Sequence, residues 1–219
     1  MRIRSEPMKK PAAILFDLDG VILDSESLII QSWKTAHKLI CPNIEWNEER
    51  LLGLMGQPAL AIPKGMGIPE ELHRDYVNTF RNHLHRIDLP LFDDVPAVLE
   101  EIKEKQIPTC IITGARTKSA IEILDGNNIL HYFDEVIGAD LTLRGKPFPD
   151  PINLALKKLN FKLINDVIFI GDSINDLLAA RAASVFAVLL WRKQQEIPQK
   201  MQKYADLIIP NLYSLLKII

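Results

Sequence analysis

Two aspartates that directly follow a short apolar segment are the first residues of the sequence that could carry out chemistry. Asp17 and Asp19 come after the apolar residues 12–16, and Gly20, which permits a tight backbone turn, follows them. Residues i and i+2 at the end of a β-strand tend to point in the same direction, so both carboxylates could face one small volume. Two carboxylates in one site can act as a nucleophile and as a proton donor and acceptor. For an isolated Asp-X-Asp-Gly sequence the alternative is a solvated turn.

Two later segments repeat the arrangement of an apolar run that ends at a polar residue. Thr113 ends one of them, and its hydroxyl together with free main-chain amides could hold a phosphoryl oxygen. Asp172 ends the other. The alternatives are an ordinary strand-to-loop turn at Thr113 and, at the second position, a helix start that Asp172 or Ser173 caps.

Apolar runs and helical patterns alternate along most of the chain. Runs of strand length occur at 12–16, 109–113, 135–138, 166–171, 185–190 and 207–209, and helical patterns occur at 95–105, 118–124, 150–159 and 174–183. Continuous apolar runs are typical of strands that are buried on both faces of a parallel sheet. Strand–helix alternation indicates right-handed crossovers. We therefore predict an α/β fold with a doubly wound, Rossmann-like parallel sheet, in which ligands bind at the carboxyl ends of the strands.

One segment, residues 25–90, interrupts this alternation. It has several helical patterns but no strong strand, and Ser25 could cap its first helix. Residues 58–67, rich in glycine and proline in their second half, are predicted to form a loop. We predict an all-helical cap domain at 25–90, inserted into an α/β core domain formed by 1–24 and 91–219.

The composition is that of a folded soluble protein without a nucleic-acid or membrane partner. The 219 residues are 47% hydrophobic and 25% charged, and the net charge of −2 gives no general basic excess for nucleic-acid binding. The apolar run 12–16 is too short for a signal peptide or a membrane span. Cys41 and Cys110 lack a metal-binding or redox spacing, and so few cysteines suit a reducing cytoplasm. We predict a cytoplasmic protein that is a monomer or a weak homodimer.

The segment around the first two aspartates is far more specific than the pair alone. Residues 16–25 read Phe-Asp-Leu-Asp-Gly-Val-Ile-Leu-Asp-Ser, which closely resembles the first motif of the haloacid dehalogenase-like superfamily, in its phosphatase and phosphomutase branch. The resemblance implies that Asp17 attacks phosphorus and forms an aspartyl-phosphate. Asp19 would protonate the leaving group and then activate water. The Asp17 carboxylate and the Asp19 main-chain carbonyl would bind Mg²⁺.

The second and third motifs of this superfamily have counterparts in the expected order. Thr113, Gly114 and Ala115 resemble the second motif, where the hydroxyl and the main-chain amides contact the phosphoryl group. The chain departs from the family here, because Gly-Ala follows the threonine where asparagine is common. The sequence Gly-Lys-Pro-Phe-Pro-Asp at 145–150 resembles the lysine motif, so Lys146 would pair with the phosphoryl group and the nucleophile.

The fourth motif is acidic and accounts for the metal. Residues 170–176 read Ile-Gly-Asp-Ser-Ile-Asn-Asp. The resemblance implies that Asp172 binds Mg²⁺ directly. Asp176 would orient the site without contacting the metal, through Lys146 or a metal-bound water. Electrostatics requires a cation there, because a phosphate dianion near one carboxylate would face a repulsion of about 8 kcal/mol at an effective dielectric of 20. Mg²⁺ and Lys146 together would reverse this repulsion.

The predicted cap resembles the small helical cap of the same superfamily, which excludes water and selects substrate. Gly53 and Gln57 fall where a specificity loop would reach the core and contact the substrate. The loop has no arginine for a second phosphate group. Lys64 is the nearest candidate for that role, and the part that Lys64 and Arg116 play in substrate binding stays open. Trp33 could line the cavity or pack within the helical segment.

The sequence therefore predicts a Mg²⁺-dependent phosphatase that hydrolyses a small phosphorylated metabolite through an aspartyl-phosphate. A sugar phosphomutase similar to beta-phosphoglucomutase is one alternative, but it needs a second phosphate clamp. The other alternative is a non-catalytic protein that binds a phosphorylated ligand, which has no reason to keep Asp17, Asp19 and Lys146 together with Asp172. Phosphoglycolate, hexose phosphates, nucleotides and pyrophosphate are all candidate substrates.

Overall fold

The described part of the protein is built around one parallel β-sheet. The computed structural model describes residues 10–85, 88–161 and 166–219. The strands are β1 (Ala13–Phe16), β2 (Thr109–Ile112), β3 (Glu135–Ile137), β4 (Val167–Gly171), β5 (Phe186–Leu190) and β6 (Leu207–Ile209). They lie in the order β3-β2-β1-β4-β5-β6, and every neighbouring pair is parallel. The chain thus moves outward from β1 first on one side and then on the other, which confirms the predicted doubly wound α/β fold.

Both faces of this sheet are buried, which explains the continuous apolar runs in the sequence. On β1, Ala13 and Leu15 pack against one face, whereas Ile14 and Phe16 pack against the other, and none of the four is exposed. Each face therefore needs its own layer of helices.

The helices form these two layers and a separate group between β1 and β2. They are α1 (Glu26–Ile40), α2 (Glu48–Leu52), α3 (Ile62–Met66), α4 (His73–Leu84), α5 (Val95–Glu104), α6 (Thr117–Gly126), α7 (Asp150–Lys158), α8 (Ile174–Ala182) and α9 (Gln199–Tyr204). Apolar residues of α5 and α6 pack on the face of Ile14, and those of α7, α8 and α9 pack on the face of Leu15. No helix in the described part of the chain is both long enough and apolar enough to cross a bilayer.

Helices α1 to α4 form what we call the helical insert, residues 26–84. The insert has a hydrophobic cluster of its own, centred on Trp33, Tyr76 and Phe80. The proposed division into a core (1–24 and 91–219) and a cap (25–90) agrees with this separate cluster, and it stays a prediction. Within it, residues 1–9, 86, 87 and 162–165 lie outside the described residues.

The predicted loop at 58–67 is wrong for most of its length. A turn of 3-10 helix at Ala59–Ala61 leads directly into α3. Pro63 is tolerated there because it lies in the first turn, where a helix has no use for the missing amide proton. Gly67 ends the helix in the left-handed conformation, with φ of 76°. Glycine and proline thus mark the two ends of a short helix here.

Candidate active site

The carboxyl ends of three neighbouring strands bring the predicted catalytic residues together. Asp17 follows β1, Thr113 follows β2 and Asp172 follows β4. Because β1 lies between β2 and β4, Asp17 occupies the centre of the site. The two aspartates line one cavity there. Thr113 is buried beside them, and its hydroxyl accepts a hydrogen bond of 3.1 Å from the main-chain nitrogen of Ala115, which fixes the loop after β2.

Lys146 lies between two carboxylates at the base of this site. Its Nζ is 2.7 Å from Asp17 Oδ1 and 2.6 Å from Asp176 Oδ1, and it donates a hydrogen bond of 3.3 Å to the main-chain oxygen of Ile112. All three charged side chains are at most 4% exposed. Burial alone would lower the pKa of Lys146, but the carboxylates of Asp17 and Asp176 outweigh it and raise that pKa. The lysine therefore stays protonated.

Burial and, after it, mutual repulsion raise the pKa values of the acidic groups of the site. Burial is the largest cause that raises the pKa of Asp17 well above its usual value, followed by repulsion from Asp176, while Lys146 opposes the shift. Burial, and then Asp176, raises the pKa of Asp172 to about 8. Oxygens of Asp17, Asp172 and Asp176 all lie within 4.8 Å of one another. Such a set of hard oxygen donors fits Mg²⁺.

Asp176 differs from the other two because both of its oxygens already have partners. Oδ1 pairs with Lys146, and Oδ2 accepts hydrogen bonds from the main-chain nitrogen of Ser173 at 3.0 Å and from its hydroxyl at 2.6 Å. The main-chain nitrogen of Asp176 in turn donates a hydrogen bond of 3.3 Å to the Ser173 hydroxyl, which completes a capping box at the start of α8, so Ser173 is a helix cap. Asp176 thus fixes both Lys146 and the loop that carries Asp172.

The Asp19 carboxylate accepts a hydrogen bond that the sequence did not predict. Ser25 occupies the N-cap position of α1, yet its side chain makes no capping hydrogen bond. Its hydroxyl instead donates a hydrogen bond of 2.7 Å to Asp19 Oδ1, so the predicted capping role of Ser25 is wrong. Burial raises the pKa of Asp19, and the bond from Ser25 opposes that shift. Gly20 is required beside it, because a Cβ there would lie 2.2 Å from Asp172 Oδ2.

The site opens into a small cavity between the sheet and the helical insert. The cavity has a volume of about 110 Å³, and Gly114, Ala115 and Gln57 line it as the sequence predicted for substrate-contacting residues. Gly53 does not line the cavity. It lies exposed at the end of α2. Its role in substrate binding stays a prediction without geometric support.

The two basic residues whose roles were open also lie away from the cavity wall. Lys64, on α3, and Arg116, just before α6, are both exposed, and neither lines the cavity. Trp33 fills both of its predicted roles, since it lines the cavity and stacks within the insert.

A loop of the insert contacts the loop after β2 and the start of α8. Asn175 Nδ2 donates a hydrogen bond of 2.6 Å to the main-chain oxygen of Met55, which ties the insert to the start of α8. A Cβ on Gly114 would lie 2.6 Å from the main-chain oxygen of Gln57, so only glycine permits this approach. Sequence reasoning gave Asn175 no role. Its position between Asp172 and Asp176 was the available signal, but the distant partner could not be known.

The parallel sheet and the charged site at its carboxyl edge are those of a hydrolase family that a comparison with protein families identifies. A family model described as haloacid dehalogenase-like hydrolase matches residues 14–190, which include all of strands β2 to β5, β1 except its first residue, and every charged residue of the site. The chain belongs to the haloacid dehalogenase-like hydrolase family. The prediction that it is an enzyme, a hydrolase of this family, is thereby confirmed.

Individual relatives cover nearly the whole chain. A protein of Caldanaerobacter subterraneus subsp. tengcongensis, provisionally named pyrophosphatase PpaX, is 33% identical over 218 residues, which is 96% of this chain and 95% of the relative. Phosphoglycolate phosphatase of Colwellia psychrerythraea is 29% identical over 83% of this chain and 84% of its own. The crystal structure of a hydrolase from Pseudomonas syringae has the same fold, with a TM-score of 0.82 at 24% identity over 94% of this chain and 96% of its own.

The buried lysine leads to a prediction about stability. Lys146→Met would leave the carboxylates of Asp17 and Asp176 buried without a cation. In EDTA we expect this variant to lose about 3–5 kcal/mol of unfolding free energy, the usual cost of removing one partner of a buried ion pair. For a chain of this size that corresponds to a melting temperature lower by about 6–20 °C.

Lys158→Met provides the matched control for this measurement. Lys158 pairs with Glu135 at 2.9 Å, but the two side chains are 41% and 29% exposed, so the pair contributes about 0–1 kcal/mol. Equal melting temperatures for the two variants would show that Lys146 does not balance the buried carboxylates.

Proposed function

We propose that the protein is a Mg²⁺-dependent phosphatase that hydrolyses a small phosphate monoester through an aspartyl-phosphate on Asp17. One observation carries the proposal: a buried Lys146 is bound to the Asp17 carboxylate within an acidic cluster that opens to a small cavity. The names of the relatives, pyrophosphatase and phosphoglycolate phosphatase, support phosphoryl chemistry on a small substrate. The predicted cytoplasmic location, the oligomeric state and the absence of a nucleic-acid partner remain predictions.

The reaction takes place in two steps at the carboxyl end of β1. In the first, an oxygen of Asp17 attacks phosphorus, the bond from phosphorus to the leaving oxygen breaks, and Asp19 gives that oxygen a proton. In the second, Asp19 takes a proton from a water molecule, the water oxygen attacks phosphorus, and inorganic phosphate and free Asp17 are released. The raised pKa of Asp19 supports its role as the proton donor, since burial favours the protonated form.

The remaining residues balance charge around the transferred group. The Asp17 and Asp172 carboxylates and the Asp19 main-chain oxygen would hold Mg²⁺, which supplies positive charge beside the phosphoryl oxygens. Lys146, bound to Asp17, would supply a further positive charge, and Asp176 keeps it in place. The Thr113 hydroxyl and the amides of the loop after β2 would contact a phosphoryl oxygen.

The direct test is phosphate release from p-nitrophenyl phosphate, before and after removal of the metal. We expect activity that falls to background in EDTA and returns when Mg²⁺ is restored, because the acidic cluster repels the phosphate dianion without a cation. Full activity after exhaustive chelation would contradict the proposal. The phosphomutase alternative requires isomerisation of beta-glucose 1-phosphate to glucose 6-phosphate with bisphosphate present, and we expect none.

The raised pKa of Asp172 makes the effect of the metal depend on pH. A folded-state pKa of about 8, above the unfolded value of about 3.9, means that folding takes up a proton between these values. The stability of the metal-free protein therefore falls as the pH rises through this window, whereas Mg²⁺ binds the deprotonated carboxylate. The rise in melting temperature that Mg²⁺ causes should be larger at about pH 8.5 than at about pH 6.

The control for this prediction is Asp172→Asn, in which that carboxylate cannot titrate. The pH dependence of the Mg²⁺ effect should weaken together with the effect itself. A stabilisation by Mg²⁺ that is the same at both pH values in the unmodified protein would contradict the assignment of Asp172 as a metal ligand.

A further inference from the structure

The two sides of the cavity have opposite character. The core side presents the carboxylates of Asp17, Asp19 and Asp172. The insert side presents mainly apolar side chains, those of Ile29, Trp33, Met55, Ile62, Phe80 and Leu84. A phosphoryl group attached to Asp17 would lie on the core side, so the insert side is the surface that faces the leaving group.

The apolar side chains on the insert side of the cavity, which we call the apolar wall, are tightly packed. The rings of Trp33 and Phe80 are stacked, with centroids 3.8 Å apart and planes 3° apart, and Trp33 also stacks on Tyr76 at 5.3 Å. Trp33, Phe80 and Ile62 are each less than 8% exposed. The wall therefore offers a preformed apolar surface rather than side chains that could turn a polar group toward the substrate.

The described residues of the insert that line the cavity carry no positive charge. Among the described residues that line the cavity, none is a lysine or an arginine. The polar side chains that the insert contributes are Gln57 and Glu26, and Glu26 pairs with Lys193 of the core. Arg81, which follows Phe80 on α4, does not line the cavity. An anionic leaving group would thus lose its hydration without gaining a cationic partner from the described residues that line the cavity.

On the basis of the phosphatase function proposed above, we propose that the natural substrate is a phosphate monoester of a small, uncharged, apolar alcohol. The cavity of about 110 Å³ is well below the roughly 300–1,000 Å³ of sites for larger ligands, so the alcohol has only a few carbons. Each CH₂ group that the wall buries should increase kcat/KM about fourfold, from the transfer free energy of a methylene. Phosphoglycolate and pyrophosphate, whose leaving groups are anionic, are poor substrates on this reasoning.

The sharpest test compares two substrates of matched size. Isobutyl phosphate and phosphoglycolate have leaving groups with equal numbers of non-hydrogen atoms, and they differ in that one carries an isopropyl group where the other carries a carboxylate. With Mg²⁺ present, we expect kcat/KM to be at least about tenfold higher for isobutyl phosphate, the scale set by burying a charge without a partner. The value of kcat/KM should also rise along the series from methyl to propyl phosphate.

The possible outcomes separate this inference from the function on which it rests. A preference for phosphoglycolate or pyrophosphate over isobutyl phosphate would overturn the inference and leave the phosphatase function intact. Release of phosphate from none of these substrates, and none from p-nitrophenyl phosphate, would overturn both.

A charged residue placed in the wall should reverse the preference. Leu84 lines the cavity and is only half-buried, so Leu84→Lys can be tolerated, and it should shift the kcat/KM ratio about tenfold toward phosphoglycolate. Leu60→Lys adds the same charge at a position that is 63% exposed and does not line the cavity, so its ratio should match the unmodified protein. An unchanged ratio in folded Leu84→Lys would overturn the inference. If that variant does not fold, the comparison of the two substrates on the unmodified protein decides alone.

Discussion

Replacement of Asp17 by asparagine should stop the turnover of every phosphate monoester that the unmodified protein hydrolyses. The amide oxygen is a poor nucleophile, so no aspartyl-phosphate can form, and the loss of rate should be on the order of 10⁴-fold or more, as for nucleophile removal in other covalent enzymes. The fold should persist, because the change removes one negative charge from a cluster whose members repel one another. Initial rates of phosphate release and a thermal unfolding curve measure the two effects.

Asp24→Asn is the matched control for this substitution. Asp24 belongs to the same sequence motif, but its side chain is exposed and does not line the cavity. Its rate should stay close to that of the unmodified protein. If Asp17→Asn retained about a tenth of the unmodified rate or more, Asp17 would not be the nucleophile.

Replacement of Asp19 by asparagine should instead separate the two steps of the reaction. A substrate with a poor alkyl leaving group would lose its proton donor, which lowers the rate by roughly 10²–10⁴-fold. p-Nitrophenolate leaves without much protonation, so phosphoryl transfer to Asp17 can continue, while hydrolysis of the aspartyl-phosphate lacks its base. We expect a burst of p-nitrophenol close to one equivalent, followed by very slow turnover, in a rapid-mixing experiment.

Ser25→Ala tests the same proton-transfer group without removing it. The Ser25 hydroxyl donates to Asp19 Oδ1, and the loss of this bond leaves a carboxylate that can still exchange protons. This variant should therefore keep steady turnover with no burst. Steady turnover without a burst in Asp19→Asn as well would contradict the assignment of Asp19 to the second step.

The fold could be predicted because local patterns determined it. Strands buried on both faces need continuous apolar runs, and the four fully buried residues of β1 are such a run. The apolar runs at 135–138, 185–190 and 207–209 became β3, β5 and β6, where pairing to a neighbouring strand adds to local propensity. Local patterns failed at α3, where glycine and proline at the ends of a short helix have the same appearance as a loop.

The charged residues of the site could be proposed from motifs, but their supporting contacts could not. The contacts of Ser25 with Asp19 and of Asn175 with Met55 depend on how separate segments meet in space. Sequence alone gives no such distances, so it predicts a helix cap at Ser25 and no role for Asn175. The apolar wall could not be predicted from the sequence either, because residues from α1, α3 and α4 come together only in the folded insert.

The central claim is that the phosphoryl group passes through a covalent bond to Asp17. It is tested most directly by the mass of the Asp19→Asn protein after reaction with p-nitrophenyl phosphate and Mg²⁺. We predict a protein about 80 Da heavier, the mass of an added PO₃H group in a covalent mechanism, with the label in the peptide that contains Asp17. A label that maps to Ser25, Thr113 or Ser173, or a burst of p-nitrophenol that leaves the protein mass unchanged, would contradict the account.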